Sequence, residues 1–257
     1  DRLRSRGLGD VYKRQHQIQY TYNEDGNLSK VSYPTTKDGI QSLSYIYDEN
    51  GWLQEIKGEL YSKGQTTEKV LRSYSYDAYG KVKEIKDYRN LLKDGDQAVQ
   101  KVYTYDRFDR VKEMIYTDLE TGKVMESYQY SYDKNSNIIE KTAVNNYPKE
   151  DSDKVNETKS YTYDTFGRLT KTVTTDHCKD DKTKTVTYTY DNVGNRLKED
   201  DGTTTISYTY NGLDQLKTST KEKGTAVEEV RQYDYDANGN QTDVKNTKTG
   251  EDQTYVY

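Results

Sequence analysis

A pair of tyrosines one residue apart, followed by Asp or Asn, occurs nine times, beginning at Tyr20, Tyr45, Tyr74, Tyr103, Tyr130, Tyr161, Tyr188, Tyr208 and Tyr233. A tenth pair, Tyr255 and Tyr257, ends the sequence. The steps between starts are 25, 29, 29, 27, 31, 27, 20, 25 and 22 residues, a mean of about 26. Chance does not produce that regularity. It marks a chain of equivalent supersecondary units over residues 16–257, each stabilised by its neighbours rather than by a core of its own.

Each unit reads as a β-hairpin. Two tyrosines at period two place both rings on one face of a strand: Tyr20 with Tyr22, Tyr45 with Tyr47, Tyr74 with Tyr76, Tyr103 with Tyr105, Tyr130 with Tyr132, Tyr161 with Tyr163, Tyr188 with Tyr190, Tyr208 with Tyr210 and Tyr233 with Tyr235. Ile18, Leu43, Val186 and Ile206 extend that face two places earlier. An aspartate follows in seven copies: Asp48, Asp77, Asp106, Asp133, Asp164, Asp191 and Asp236. Three residues after it comes Gly51, Gly80, Gly167, Gly194 or Gly239, with Gly26 in the first copy and Asp109, Ser136 and Asp214 in three others. An aspartate opening a turn accepts bonds from the backbone just ahead, and glycine tolerates positive φ. A return strand then carries Leu28, Leu53, Val82, Val111, Ile138, Leu169 or Leu216, and often a second apolar residue three later, as in Val31, Ile56, Ile85 and Met114. The copy from Tyr188 places its aliphatic one residue late, at Leu197, and the copy from Tyr233 has none there. A three-residue spacing does not fit one face of a flat strand. Either a bulge follows the glycine or one residue of each pair faces solvent.

The expected fold is therefore all-β: tandem hairpins in a continuous, curved or spiral antiparallel sheet. Variable connections at 57–69, 87–96 and 147–154 hold the polar residues, and 87–99 is the best stretch for a short helix. Residues 1–15, DRLRSRGLGDVYKRQ, lack the repeat and resemble translated sequencing-adapter DNA; they are expected to be disordered or an artefact and to lie outside the fold.

Composition narrows the function. Leu, Ile, Val and Phe make up about a sixth of the chain, a level that suits disorder, but a net charge of −5 is small and 28 tyrosines supply amphipathic packing surface. The mildly acidic balance offers no field for nucleic acid. Apolar runs reach only two or three residues, which excludes a membrane-spanning helix. One cysteine, Cys178, excludes an internal disulfide framework.

Candidate chemistry gives way to structural readings. The tyrosines could stack sugars or bases. Packing explains them better, with equivalent rings about 5 Å apart across the sheet. The aspartates lack the alternating oxygens of a calcium loop and read as turn caps. His177 and Cys178, flanked by Asp176, Asp180 and Asp181, form the one local group of metal-ligand types. Neither a third placed ligand nor an oriented base accompanies them. Trp52 either marks a contact surface or packs over its hairpin. No catalytic residue, metal or cofactor is expected, and the chain reads as non-enzymatic.

The unit Tyr161-Thr-Tyr-Asp-Thr-Phe-Gly-Arg-Leu169, with Tyr188-Thr-Tyr-Asp-Asn-Val-Gly-Asn-Arg-Leu197, resembles the YD repeat of rearrangement-hotspot (RHS) proteins. That family includes bacterial polymorphic toxins, wall-associated proteins, Tc toxin C components and teneurins. The resemblance implies a spiral sheet closing as a hollow shell, secreted or on the bacterial surface, that encapsulates a C-terminal toxin domain. Implied partners are further YD repeats and that toxin or core domain. An adhesin binding glycans or a partner protein is the alternative. The family's plug segment and self-cleaving aspartyl centre have no counterpart here, so the chain reads as an internal piece of a larger protein.

Overall fold

The computed structural model describes residues 17–34, 39–88, 98–146 and 154–255, and these fall into two units divided between Ser127 and Tyr128. Among them there are nineteen strands and no helix. The first unit contains β1 (Gln19–Tyr22), β2 (Leu28–Ser32), β3 (Gly39–Tyr47) and β4 (Leu53–Ser62). It continues with β5 (Gln65–Tyr76), β6 (Val82–Tyr88), β7 (Ala98–Tyr105) and β8 (Val111–Asp118). The boundary falls within β9 (Val124–Tyr132). The second unit holds β10 (Ile138–Asn145), β11 (Val155–Tyr163), β12 (Leu169–Asp176), β13 (Lys182–Tyr190) and β14 (Arg196–Asp200). It ends with β15 (Thr204–Tyr210), β16 (Leu216–Lys223), β17 (Ala226–Tyr235), β18 (Gln241–Asn246) and β19 (Asp252–Thr254).

From β1 to β8, and again from β10 to β19, each strand pairs antiparallel with the next in sequence. The repeat hairpins and the connections between them thus alternate along each unit as a meander. Residues 1–15 and the centre of the proposed helix lie outside the described residues; its ends, Asp87 and Val99, belong to β6 and β7.

Tyr161 opposes Thr172, Thr162 opposes Lys171, and Tyr163 opposes Leu169, which leaves Thr170 as an extra residue on the return strand. That bulge brings residues three apart onto the face of the tyrosines. It recurs at the same place, with Tyr45 opposite Ile56 and Tyr47 opposite Leu53, Tyr74 opposite Ile85 and Tyr76 opposite Val82, and Tyr103 opposite Met114 and Tyr105 opposite Val111. The spacing puzzle is settled in favour of the bulge, which also bends the strand and increases its twist.

Two sequence readings need correction. Leu197 is not a displaced slot residue: Arg196 opposes Tyr190, and Leu197 is the bulged residue, 40% exposed. Equivalent tyrosines are not about 5 Å apart either, because a return strand lies between their strands and doubles the interstrand spacing to about 10 Å. In the copies from Tyr45, Tyr74 and Tyr103 the rings lie opposite aliphatic or methionine residues of their own hairpin, whereas Tyr161, Tyr188 and Tyr208 lie opposite Thr172, Glu199 and Ser219.

Burial is shallow throughout. Val31, Leu60, Ala98, Val99 and Ala143 are the buried apolar residues among those described, and no side chain reaches complete burial. Each unit is held by ladders and repeated local contacts, not by a two-layer core.

Candidate functional site

The repeat motif itself is the most elaborate constellation in the chain. Its turn is built by the aspartate. In the copy from Tyr161, Asp164 N–H donates to the Arg168 carbonyl at 2.9 Å and Gly167 N–H donates to the Asp164 carbonyl at 3.1 Å. Asp164 Oδ1 accepts the N–H groups of Phe166 and Arg168, both at 2.9 Å, and Oδ2 accepts Arg168 Nε at 2.6 Å. The result is a type I turn followed by a left-handed residue, the common three-residue hairpin loop. Gly167 has φ 79°, and Asp109, Ser136 and Asp214 hold φ of 66°, 68° and 59° at the equivalent position. The sequence reading of the aspartates as caps matches this geometry at Asp48, Asp77, Asp106, Asp133, Asp164, Asp191 and Asp236.

In six of the pairs the second tyrosine has a role that was not read from the sequence. Tyr47 donates its hydroxyl to the Leu28 carbonyl, Tyr76 to Leu53, Tyr105 to Val82, Tyr163 to Ile138, Tyr190 to Leu169 and Tyr210 to Arg196, at 2.7 to 2.9 Å. Each acceptor opens the return strand of the preceding hairpin. The ladder between the two hairpins stops two residues short of it, for example at Lys171 opposite Thr187, beyond which Leu169 has no partner on β13. The phenol supplies the bond that the ladder does not. A signal for this was present in the sequence: the chain uses 28 tyrosines and only two phenylalanines, although packing alone would accept either.

The side chain four residues after the aspartate reaches the next hairpin. Arg168 lies 4.9 Å over the Tyr190 ring and donates to the Asp191 carbonyl at 2.9 Å. Lys81 stands over Tyr105 and pairs with Asp109, and Asn195 donates to Asp214 Oδ1 at 3.0 Å. Trp52, in the same position, packs 5.4 Å from the Tyr76 ring. Of the two readings of Trp52, packing over a hairpin is the one observed, on the following hairpin rather than its own. Arg196, in the slot used elsewhere by leucine, stacks over Tyr188 at 5.7 Å and Tyr208 at 5.1 Å.

Electrostatics follow from these partners. The Arg110 guanidinium holds Asp106 below the usual carboxylate range, and the Asn240 side-chain amide does the same for Asp236. Lys184 and two backbone N–H groups lower Asp201 to about 2. Burial pushes Tyr163 and Tyr210 upward.

His177 bonds Asp181 Oδ1 at 2.5 Å and Thr158 Oγ1 at 3.0 Å, and Cys178 is exposed beside it. Among the described residues no group of three or more His, Cys, Asp or Glu is arranged to hold a metal ion. Among the described residues no helix is long and apolar enough to cross a membrane.

No protein-family profile and no curated protein sequence matches the chain. Among solved structures, the TcdB2-TccC3-Cdc42 crystal structure is 19% identical, with 93% of this chain and 14% of that one covered, at a TM-score of 0.42. The Tc holotoxin pore of Photorhabdus luminescens is 18% identical over 90% of this chain and 13% of that one, at a TM-score of 0.41. A porin-like protein from Bacteroides uniformis is 13% identical, covering 82% and 94%, at a TM-score of 0.27. The chain thus spans about a seventh of the Tc toxin chains that it resembles. What stands on the geometry is an all-β fold of tandem Tyr-x-Tyr-Asp/Asn hairpins, six of them bonded to the one before through a tyrosine hydroxyl.

Proposed function

We propose that this chain is a non-enzymatic wall segment of a secreted or surface-delivered bacterial protein of the RHS/YD type, enclosing a toxic domain carried by the same parent protein. One observation carries the reading: the polar groups of the motif are committed to construction. Tyrosine hydroxyls satisfy carbonyls of neighbouring hairpins, and the aspartates cap their own turns. A surface whose reactive groups are used this way is suited to being a barrier. The repeat is also extensible, since six junctions use the same bond, and a wall of any length follows from adding hairpins.

The test uses the parent protein with its further domains. Protease is added to the intact particle and to the same particle opened by denaturant. Resistance of the enclosed domain in the first case and rapid digestion in the second is the expected result. Equal digestion in both would refute enclosure. A second role, glycan recognition at the surface of such a wall, is favoured by the surroundings of Trp52.

A further inference from the structure

One turn departs from the rule that the others obey. In five turns the side chain four residues after the capping aspartate returns to that aspartate's second oxygen. Arg110 bonds Asp106 at 2.7 Å, Asn137 bonds Asp133 at 3.0 Å, Arg168 bonds Asp164 at 2.6 Å, Asn195 bonds Asp191 at 3.0 Å and Asn240 bonds Asp236 at 2.9 Å. Lys81 approaches Asp77 Oδ2 to 3.6 Å. At the turn that begins with Asp48, the residue in that place is Trp52. Asp48 Oδ1 still accepts the N–H groups of Asn50 and Trp52, both at 2.9 Å. Its Oδ2 accepts no hydrogen bond among the described residues.

Asp48 lines a cleft of about 420 Å³ together with Asn50, Trp52, Gln54, Ser75 and Asp77. The side chains of Asn50, Gln54 and Ser75 are also without a hydrogen bond among the described residues. The cleft shares Gln54, Tyr74 and Ser75 with a second one of about 240 Å³, which adds Glu84 and Lys86. Together they offer a polar trough with Trp52 in its lining. The ring is held in place. A Cβ at residue 80 would stand 2.8 Å from Trp52 Cζ2, so the indole rests against the Gly80 backbone, and it also packs against the Tyr76 ring. A fixed ring loses little freedom when a ligand stacks on it.

We propose that this trough binds a saccharide, with one pyranose ring stacked by its C–H face on Trp52 and its hydroxyls bonded to Asp48 Oδ2, Asn50, Gln54 and Ser75. The chemistry selects this class. Amide and hydroxyl side chains both donate and accept, as sugar hydroxyls do. A donor-only ammonium would leave the amide N–H groups unmatched. A phosphate-bearing ligand would meet the Asp48 carboxylate, which pairs with no cation among the described residues, and be repelled. The joined clefts have room for more than one ring, which points to a di- or oligosaccharide. This site is independent of the enclosure reading, because a wall segment with or without cargo would carry it.

Trp52 is the only tryptophan, so its fluorescence reports on this site alone. The full chain is screened on a broad glycan array, and cellobiose, N,N′-diacetylchitobiose and lactose are titrated against the emission. A saturable change with at least one of these, or array binding of a glycan that then gives one, is the expected result. Asp48→Asn keeps the cap, since Asn23 and Asn211 cap their own turns, and should weaken binding on the order of tenfold or more by removing the charged acceptor. Trp52→Arg installs the residue that the repeat uses at 110 and 168; binding, followed by saturation-transfer NMR, should disappear while the circular dichroism is unchanged. The proposal is overturned by the absence of any saturable response across array and titrations. Wild-type affinity in both folded variants would also overturn it.

Discussion

Replacing Tyr163 with phenylalanine removes one oxygen and keeps the ring. The lost atom makes a 2.8 Å bond to the Ile138 carbonyl, and the ladder between β10 and β11 ends at Glu140 opposite Ser160, too early to replace it. The site is partly buried, so water can take over some of the bond, and the cost should be about 0.5–1.5 kcal/mol. With a urea dependence of about 2 kcal/mol per molar, a loss of about 1 kcal/mol lowers the unfolding midpoint by about 0.5 M. Two controls isolate the hydroxyl. Tyr22 is 61% exposed and its hydroxyl has no partner among the described residues, so Tyr22→Phe should leave the midpoint unchanged. Tyr161 shares the strand and face of Tyr163 but reaches no carbonyl of the preceding hairpin, so Tyr161→Phe should also be nearly neutral. Combining Tyr163→Phe with Tyr47→Phe should add the two losses, since the sites lie in different units and share no partner. If Tyr163→Phe is as stable as Tyr22→Phe, or if Tyr161→Phe is as damaging as Tyr163→Phe, the hydroxyl bond is not what requires tyrosine.

The remaining predictions concern the turns and the titrating groups. Gly167→Asn should cost well under about 1 kcal/mol, because asparagine tolerates positive φ and nothing lies within 4 Å of the added Cβ. Gly80→Asn should cost distinctly more by urea melting, because its Cβ collides with Trp52; equal losses would refute the packing argument. Acid should destabilise the fold. Asp106, Asp236 and Asp201 have folded pKa values below their unfolded ones, so their contribution is complete above about pH 4 and lost as the pH falls through the folded values, which for Asp201 is about 2. Urea midpoints measured between these limits should fall, and Asp201→Asn should flatten part of the slope. At the alkaline end the sign reverses. Tyr76, Tyr163 and Tyr210 are raised above 10.0, chiefly by burial, so their stabilisation is present below that value and lost as the pH rises through the folded ones. Absorbance titration of phenolate should lag behind that of the denatured chain and end in unfolding.

Much of this was legible in one dimension. Tyr161, Tyr163, Asp164, Gly167 and Leu169 imply strand, cap, positive φ and return strand because those properties are local, and each is set by a residue and its nearest neighbours. The same is true of the aspartate caps, since an Asx turn closes within four residues. The bulge was legible only as a contradiction, a three-residue spacing that a flat strand cannot hold.

The readings that failed were those that required knowledge of what lies across a junction. The partner of Tyr163 is a carbonyl 25 residues earlier, and no local pattern names it. Arg196 in a leucine slot looked like a slip until Tyr188 and Tyr208 were seen on either side of its guanidinium. Trp52 could not be placed because its neighbour, Gly80, belongs to the following hairpin. The sequence by itself determined the unit: its period, its turn, its two strands and the face on which its rings lie, all consequences of short-range sterics and backbone bonding. Only the tertiary structure decided how one hairpin holds the next, and that one oxygen of the Asp48 carboxylate is left without a hydrogen bond among the described residues, because those facts depend on distances between hairpins that share no local sequence.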